Sequence, residues 1–236
     1  MSKRYRPATA RGGIRPIGLI RTQRPLSRRE SRELDFAMQK GYVPFEEDRF
    51  AEACAIWLPL WSRFKEVIRS RGIRGVDGLE EGPDAVYSGL QAFYNWFQDL
   101  ADAVENAAAK DPAWWPTALE YSREFRELLP DSNTLHLVNM AVLEARALDG
   151  VGRHAEAESA LERTAATYPD SEWAWASWGD FWSDDDMGWT GPHDREKARA
   201  IYQQGLKSTG EEPEILLERL QSLDRRPGPV FGRSPG

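Results

Sequence analysis

The chain has 236 residues, a length that suits one domain of moderate size or a short repeat array. Hydrophobic residues make up 41% and charged residues 29%, so most of the chain can bury a core. No apolar run approaches the roughly eighteen residues of a membrane helix, and the N-terminus lacks the apolar stretch of a secretory signal. The single cysteine, Cys54, and three separated histidines exclude an internal disulfide and a cysteine-histidine metal knuckle. We therefore expect a cytoplasmic protein that binds no membrane, no metal and no cofactor.

The net charge of -7 is unevenly distributed along the chain. Residues 1–33 contain ten basic and two acidic side chains, a balance of +8, whereas the remainder contains 21 basic and 36 acidic side chains, a balance of -15. Three prolines and three glycines within 1–29 oppose a long helix, which predicts a disordered basic arm. Three interpretations of this arm stay open: it binds nucleic acid or an acidic partner, it folds back onto its own acidic body, or it is a tail without function, including upstream sequence from a misassigned start codon. The arginines proposed to carry binding are Arg4, Arg6, Arg11 and Arg15.

After the arm, apolar residues recur at helical spacing, and Gly and Pro cluster between the apolar stretches. The segment 71–83, with four glycines and a proline, predicts the clearest internal loop. Signals for helix starts are found at Asp84, at Asp111 before Pro112, at Ser171, and at Glu212 before Pro213. The predicted helices are 30–41, 47–70, 84–109, 112–129, 134–149, 153–168, 171–182, 194–208 and 212–224.

Residues 138–171 contain an internal repeat unit that runs helix, turn, helix and then proline. Gly152 lies in the turn, and Ala157 lies where the second helix approaches the first, with Leu161 one turn later. Pro169 ends the unit. This pattern resembles a tetratricopeptide repeat of about 34 residues.

The following unit carries more of the same signature, and earlier units carry less of it. Ala157 and Ala198 are 41 residues apart, which places about seven extra residues within Ser183–His193. The resemblance is strong over 136–207 and weak over 72–115. The positions that match the family in the second unit are Trp175, Trp178, Gly179, Trp182, Ala198, Tyr202 and Gly205, and those in earlier units are Ala53, Trp57, Ala118 and Pro130.

The strings FYNWFQDLADAVENA and DSEWAWASWGDFW are also similar to bacterial helical-repeat proteins that often carry a SecA-type zinc motif at the C-terminus. This chain ends in FGRSPG without a cysteine, so that family's metal binding is not carried over. The resemblance implies an all-α fold over 30–224: a right-handed tetratricopeptide-like solenoid of about four helix pairs. Helix 212–224 is expected to cap it, and the tail 225–236 is expected to be disordered.

Tryptophan is the most unusual feature of the composition, with ten residues. Trp175, Trp178 and Trp182 follow i, i+3, i+7 spacing and therefore share one helix face, which predicts packing between helices. Trp173 and Trp189 do not fit that face. They are candidate contacts with a partner, together with Trp114 near a helix start, although burial in the core is the alternative.

The segment SDDDMGWTGPHD contains four aspartates, but their spacing does not match an EF-hand loop. A solvated acidic loop is therefore expected, and contact with the basic arm is a second interpretation. The four residues are Asp184, Asp185, Asp186 and Asp194.

The function expected from the resemblance is a non-catalytic one. Tetratricopeptide repeats imply a concave surface that holds a peptide or a helix of another protein, and an acidic body favours basic partners. The sequence contains no nucleophile-base arrangement, phosphate loop or HExxH motif, so no enzyme is predicted. The alternative is a nucleic-acid- or ribosome-associated protein that uses the basic arm 1–29.

Overall fold

A computed structural model describes residues 26–80, 86–183, 188–210 and 213–225. Over these ranges the chain is all-helical and contains no strand, so the predicted all-α class is confirmed. None of the helices within them is both long enough and apolar enough to cross a bilayer. The helices are α1 (Arg28–Glu46), α2 (Phe50–Arg71), α3 (Asp77–Glu80), α4 (Phe93–Lys110), α5 (Trp115–Leu128, after a 3-10 turn Pro112–Trp114), α6 (Thr134–Gly150), α7 (His154–Thr167), α8 (Glu172–Trp182), α9 (Arg195–Ser208) and α10 (Glu214–Arg225).

Helix α1 begins inside the segment that was expected to be a disordered arm. The Ser27 hydroxyl accepts the Glu30 N–H at 3.2 Å, and the Glu30 carboxylate accepts the Ser27 N–H at 2.8 Å, which is a complete capping box. Leu26 is buried, and its N–H donates to the Val86 carbonyl at 2.8 Å. The predicted boundary at residue 29 is therefore too late, because the cap and a buried leucine fix the chain from residue 26 onward.

At two of the predicted helix starts a side chain caps the backbone, as predicted for Ser171. Asp111 Oδ1 accepts the Ala113 N–H at 3.0 Å at the start of the turn that leads into α5. The Ser171 hydroxyl accepts the Ala174 N–H at 3.4 Å at the start of α8. The predicted cap Asp84, and Glu212 of the start signal before Pro213, lie outside the described residues.

The predicted helix 84–109 is wrong at its N-terminal end, because α4 begins only at Phe93. The Glu80 carboxylate reaches across the connection and accepts the N–H groups of Phe93 and Tyr94, the latter at 3.1 Å. The backbone before it is also held from a distance, since the N–H groups of Val86 and Tyr87 both donate to the carbonyl of residue 79. These partners satisfy the backbone N–H groups of Val86 and Tyr87 without a helix. The predicted loop 71–83 contains the short helix α3.

Helices that follow each other along the chain pack as pairs, namely α1 with α2, α4 with α5, α6 with α7, and α8 with α9. Neighbouring pairs also touch: α2 contacts α4 and α5, α5 contacts α6, α7 contacts α8, and α9 contacts α10. In addition α4 contacts α6, α6 contacts α8, and α8 contacts α10. These four helices therefore lie side by side in chain order.

Helix α6 separates two hydrophobic clusters. Met140 and Leu143 belong to the first cluster, with α1, α2, α4 and α5. Val138 and Val142 belong to the second, with α7 to α10. The sequence of α6 is apolar almost all round, which is typical of a central helix. This helix can therefore pack against both clusters.

Close approaches between helices explain two glycines. A Cβ on Gly205 would lie 2.7 Å from the Trp175 Cβ, and a Cβ on Gly179 would overlap the Tyr202 ring. Gly152 has a φ of 78° in the turn after α6, a conformation that favours glycine.

Pro130 and Pro169 follow the ends of α5 and α7, and Trp178 and Trp182 are half-buried on α8. The other positions matched to the repeat signature, all buried, are Ala53, Trp57, Ala118, Ala157, Leu161, Trp175, Ala198 and Tyr202.

Candidate functional site

A cleft of about 790 Å³ opens between α4, α6, α8 and the start of α10. We call it the acidic cleft, because it combines an apolar lining with an excess of carboxylates. The apolar residues are Ala101, Leu135, Met140, Val142, Leu143, Trp173 and Ile215, the charged ones are Asp102, Glu105, Arg146, Asp170 and Glu172, and the remaining ones are Gln98, Asn139 and Ser171.

A second cavity of about 480 Å³, the polar pocket, lies between α1 and α4. Gln98 lines both cavities, so they adjoin on the same side of α4. The Tyr42 hydroxyl donates to Asp99 Oδ2 at 2.5 Å and ties α1 to α4 there. The remaining lining residues of the polar pocket are Gln39, Glu46, Gln91 and Asn95.

Three carboxylates follow one face of α4 at intervals of three residues: Asp99, Asp102 and Glu105. Neighbouring side chains of the cleft partly desolvate the Asp102 carboxyl, although part of the residue stays exposed to solvent. This loss of hydration, followed by the charges of Glu105 and Asp99, raises its pKa to about 6. Burial also raises the pKa of Glu105, against the opposing effect of Arg146, and that of Asp99, against the hydrogen bond from Tyr42.

Arg146 is the cation that lines the acidic cleft, and it is already engaged. Its Nε lies 3.1 Å from Glu105 Oε1, and its guanidinium lies 4.7 Å from the centre of the Trp189 ring. Among the described residues, Asp102 and Asp170 form no ion pair. The cleft therefore keeps negative charge beside apolar surface at neutral pH.

The structure separates the three tryptophans that were candidate contacts. Trp173 is half-buried and lines the acidic cleft. Trp189 is 8% exposed and packs edge-on against Phe181, with ring centres 5.3 Å apart, so it belongs to the interior. Trp114 is half-buried against the first hydrophobic cluster. Of the three, only Trp173 lies at the cleft, and the candidate arginines Arg4, Arg6, Arg11 and Arg15 lie outside the described residues.

Sequence reasoning missed the carboxylates of α4 and Arg146. A signal was available, since Asp99, Asp102 and Glu105 share one face of a predicted helix. That pattern ordinarily indicates a solvated face. It becomes a lining because α6 packs beside α4, and α8 packs beside α6.

Metal-binding side chains do not cluster in the ranges that the structure describes. Within them, no cluster of three or more His, Cys, Asp or Glu side chains is placed to hold a metal ion. Asp194 accepts the Lys197 N–H at 3.1 Å and caps α9, whereas Asp184, Asp185 and Asp186 lie outside the described residues. No protein-family model, curated protein or solved structure matches the chain.

Proposed function

We propose that the chain is a non-catalytic interaction module that holds a basic peptide or helix of another protein in the acidic cleft. The supporting architecture is a tetratricopeptide-like solenoid of four helix pairs with α10 as the cap. In such a solenoid each unit packs only on its neighbours, and the first helices of successive pairs lie side by side. The contacts of α4 with α6, α6 with α8, and α8 with α10 support this arrangement.

The observation that carries the proposal is the composition of the cleft lining. Four carboxylates face one guanidinium that is already paired, and apolar side chains including Trp173 and Ile215 lie among them. A peptide with both cations and apolar side chains complements this surface. Its charges steer the encounter and its register, while its apolar groups contribute affinity by leaving water.

The size of the cleft suits a helix or an extended peptide better than a whole domain. A cleft of about 790 Å³ that is open to solvent accommodates a short stretch of a helix or of an extended peptide. The adjoining polar pocket of about 480 Å³ extends the path along α4.

The test uses a fluorescent amphipathic peptide of Leu and Lys, about five helical turns long, with a Leu and Glu peptide for comparison. Binding is measured by anisotropy at low salt. We expect the Lys peptide to bind, and the double variant Asp102→Lys with Asp170→Lys to weaken it about tenfold, because two attractions become repulsions. The Glu peptide should not bind.

A matched control carries the same charge change away from the cleft. Glu127→Lys on α5 and Glu162→Lys on α7 reverse two exposed carboxylates that do not line the cleft. This variant should change the affinity by less than about twofold. Equal losses in both variants would mean that overall charge attracts the peptide, and the cleft would then lose its assigned role.

A further inference from the structure

Residues 1–25 contain seven basic and no acidic side chains, and they lead directly into the first described residue. We propose that this stretch, the basic segment, occupies the acidic cleft of its own chain when no partner is bound. The idea rests on the proposed function, because the same cleft is the binding site. It adds a tethered competitor that an external peptide has to displace.

The attachment point of the basic segment lies on the helix that borders the polar pocket. Leu26 is anchored by burial and by its hydrogen bond to Val86, and Ser27 caps α1. Tyr42 on the same helix lines the polar pocket. The helical rise between Ser27 and Tyr42 is about 22 Å.

The segment is long enough to reach the cleft. Twenty-five extended residues span up to about 80 Å, and about seven of them cover the distance along α1. The remaining residues are then available to run from the polar pocket into the acidic cleft, since Gln98 borders both cavities.

The segment also matches the chemistry of the lining. Residues 14–21, IRPIGLIR, place apolar side chains between arginines. The cleft offers Asp102 and Asp170 beside Leu135 and Trp173. A cation near a partly dehydrated carboxylate gains more than it does at a fully hydrated surface. Arginines of the segment can therefore pair with the carboxylates while its isoleucines and leucine cover apolar lining.

A tether makes even a weak segment an effective competitor. Its effective concentration at the cleft is about 1 mM for a connection of this length. An intrinsic dissociation constant of about 0.1 mM then fills about nine tenths of the clefts and weakens an external peptide about tenfold. Because the attraction is largely electrostatic, this competition fades at high salt.

The first test compares the Leu-Lys peptide on the full chain and on a full-chain variant with four neutralised arginines of the segment. We expect the variant Arg4→Gln, Arg6→Gln, Arg11→Gln, Arg15→Gln to bind about tenfold more tightly at about 0.05 M salt and equally at about 0.5 M. The control has the same change of net charge on α2, α7 and α9 and should bind like the unaltered chain; it carries Arg63→Gln, Arg69→Gln, Arg163→Gln and Lys207→Gln.

The second test locates the segment by cross-linking. Lys3 is the sole lysine of the segment, and a carbodiimide joins an amine only to a carboxylate in direct contact. A mixture of light and isotope-labelled chains separates links within a chain from links between chains. We expect links within the chain from Lys3 to carboxylates of the two cavities, such as Asp99, Asp102 or Asp170. Equal links to Glu127 and Glu162, or links only between chains, would overturn the assignment.

The outcomes separate this inference from the proposed function. Equal peptide affinity in the full chain and the four-arginine variant overturns occupation of the cleft by the segment but leaves the cleft as a peptide site. No peptide binding in either protein, with links from Lys3 to Asp102, overturns the proposed function and keeps the segment in the cleft. Salt-sensitive binding of duplex DNA that the four-arginine variant abolishes, with peptide affinity unchanged, assigns the segment to nucleic acid and overturns the inference.

Discussion

A single substitution at Asp180 on α8 should destabilise the packing of α8 against α9 and α10. Its Oδ1 accepts the Tyr202 hydroxyl of α9 at 2.7 Å and the Arg219 Nε of α10 at 2.8 Å. The Asp180 side chain is 4% exposed, and that of Arg219 is 21% exposed. Asp180→Ala removes the acceptor that both donors share and leaves a largely buried guanidinium without it.

The expected loss is about 2–4 kcal/mol of unfolding free energy, because two hydrogen bonds to one buried carboxylate are removed while the Arg219 side chain, 21% exposed, keeps contact with solvent. Tyr202→Phe alone should lose about 1.5–3 kcal/mol, the typical contribution of a hydrogen bond to a charged group. In the Asp180→Ala background the same change should lose less than about 0.5 kcal/mol, since the hydroxyl has already lost this acceptor. The resulting coupling energy is at least about 1 kcal/mol.

Urea unfolding followed by tryptophan fluorescence and by helical circular dichroism measures all four proteins. Asp224→Ala is the matched control, because Asp224 pairs with Arg199 at 2.8 Å between α9 and α10 but is 66% exposed. It should lose less than about 1 kcal/mol. A loss below about 1 kcal/mol for Asp180→Ala, or additive effects of Asp180→Ala and Tyr202→Phe, would refute this account of the network.

Three further predictions concern the acidic cleft, the packing of α9 at Gly205, and the connection between α8 and α9 at Thr190. The pKa of Asp102 is raised to about 6, so its carboxylate takes up a proton as the pH falls from 7 to 5. The Leu-Lys peptide should therefore bind several-fold more weakly at pH 5 than at pH 7. In anisotropy titrations, Asp102→Asn should remove this dependence on pH. Gly205→Ala should lower the unfolding free energy by about 1–3 kcal/mol in thermal melts, whereas Gly210→Ala, with open space around it, should not. Asp149→Ala removes the carboxylate that accepts the Thr190 N–H at 2.6 Å, so faster hydrogen exchange at that amide is expected, and unchanged exchange would contradict it.

The helices could be predicted from sequence where their ends are set locally. Helix 194–208 was predicted within one residue of α9, because Asp194 caps it from an adjacent position. Helix 84–109 was predicted too long, because its true start depends on Glu80, which lies 13 residues before Phe93 in the chain. A capping group supplied from a distance leaves no periodic signal in the segment that it terminates.

The candidate site could be predicted only in part. Trp173 and Trp189 were equivalent in sequence, since neither fits the tryptophan face of α8. Their burial differs because the connection between α8 and α9 folds back and places Trp189 against Phe181, with the Arg146 guanidinium over its ring. The carboxylates of α4 were visible as a stripe, but which neighbours they would face depends on packing between units that are far apart in the chain.

Two acids buried between helices are each paired with a cation from a neighbouring helix. Glu144 is paired with Arg123 and Arg126 across α5 and α6, and Asp180 is paired with Arg219. Those pairs serve packing, since each cation comes from a helix that the acid must hold.

Asp102 has no such cation among the described residues, and its raised pKa means that its charged form is disfavoured in the folded chain. At pH 7 the folded chain is therefore less stable than it would be with an uncharged side chain at this position. Under the proposed function, a basic ligand beside Asp102 favours its charged form and offsets this penalty.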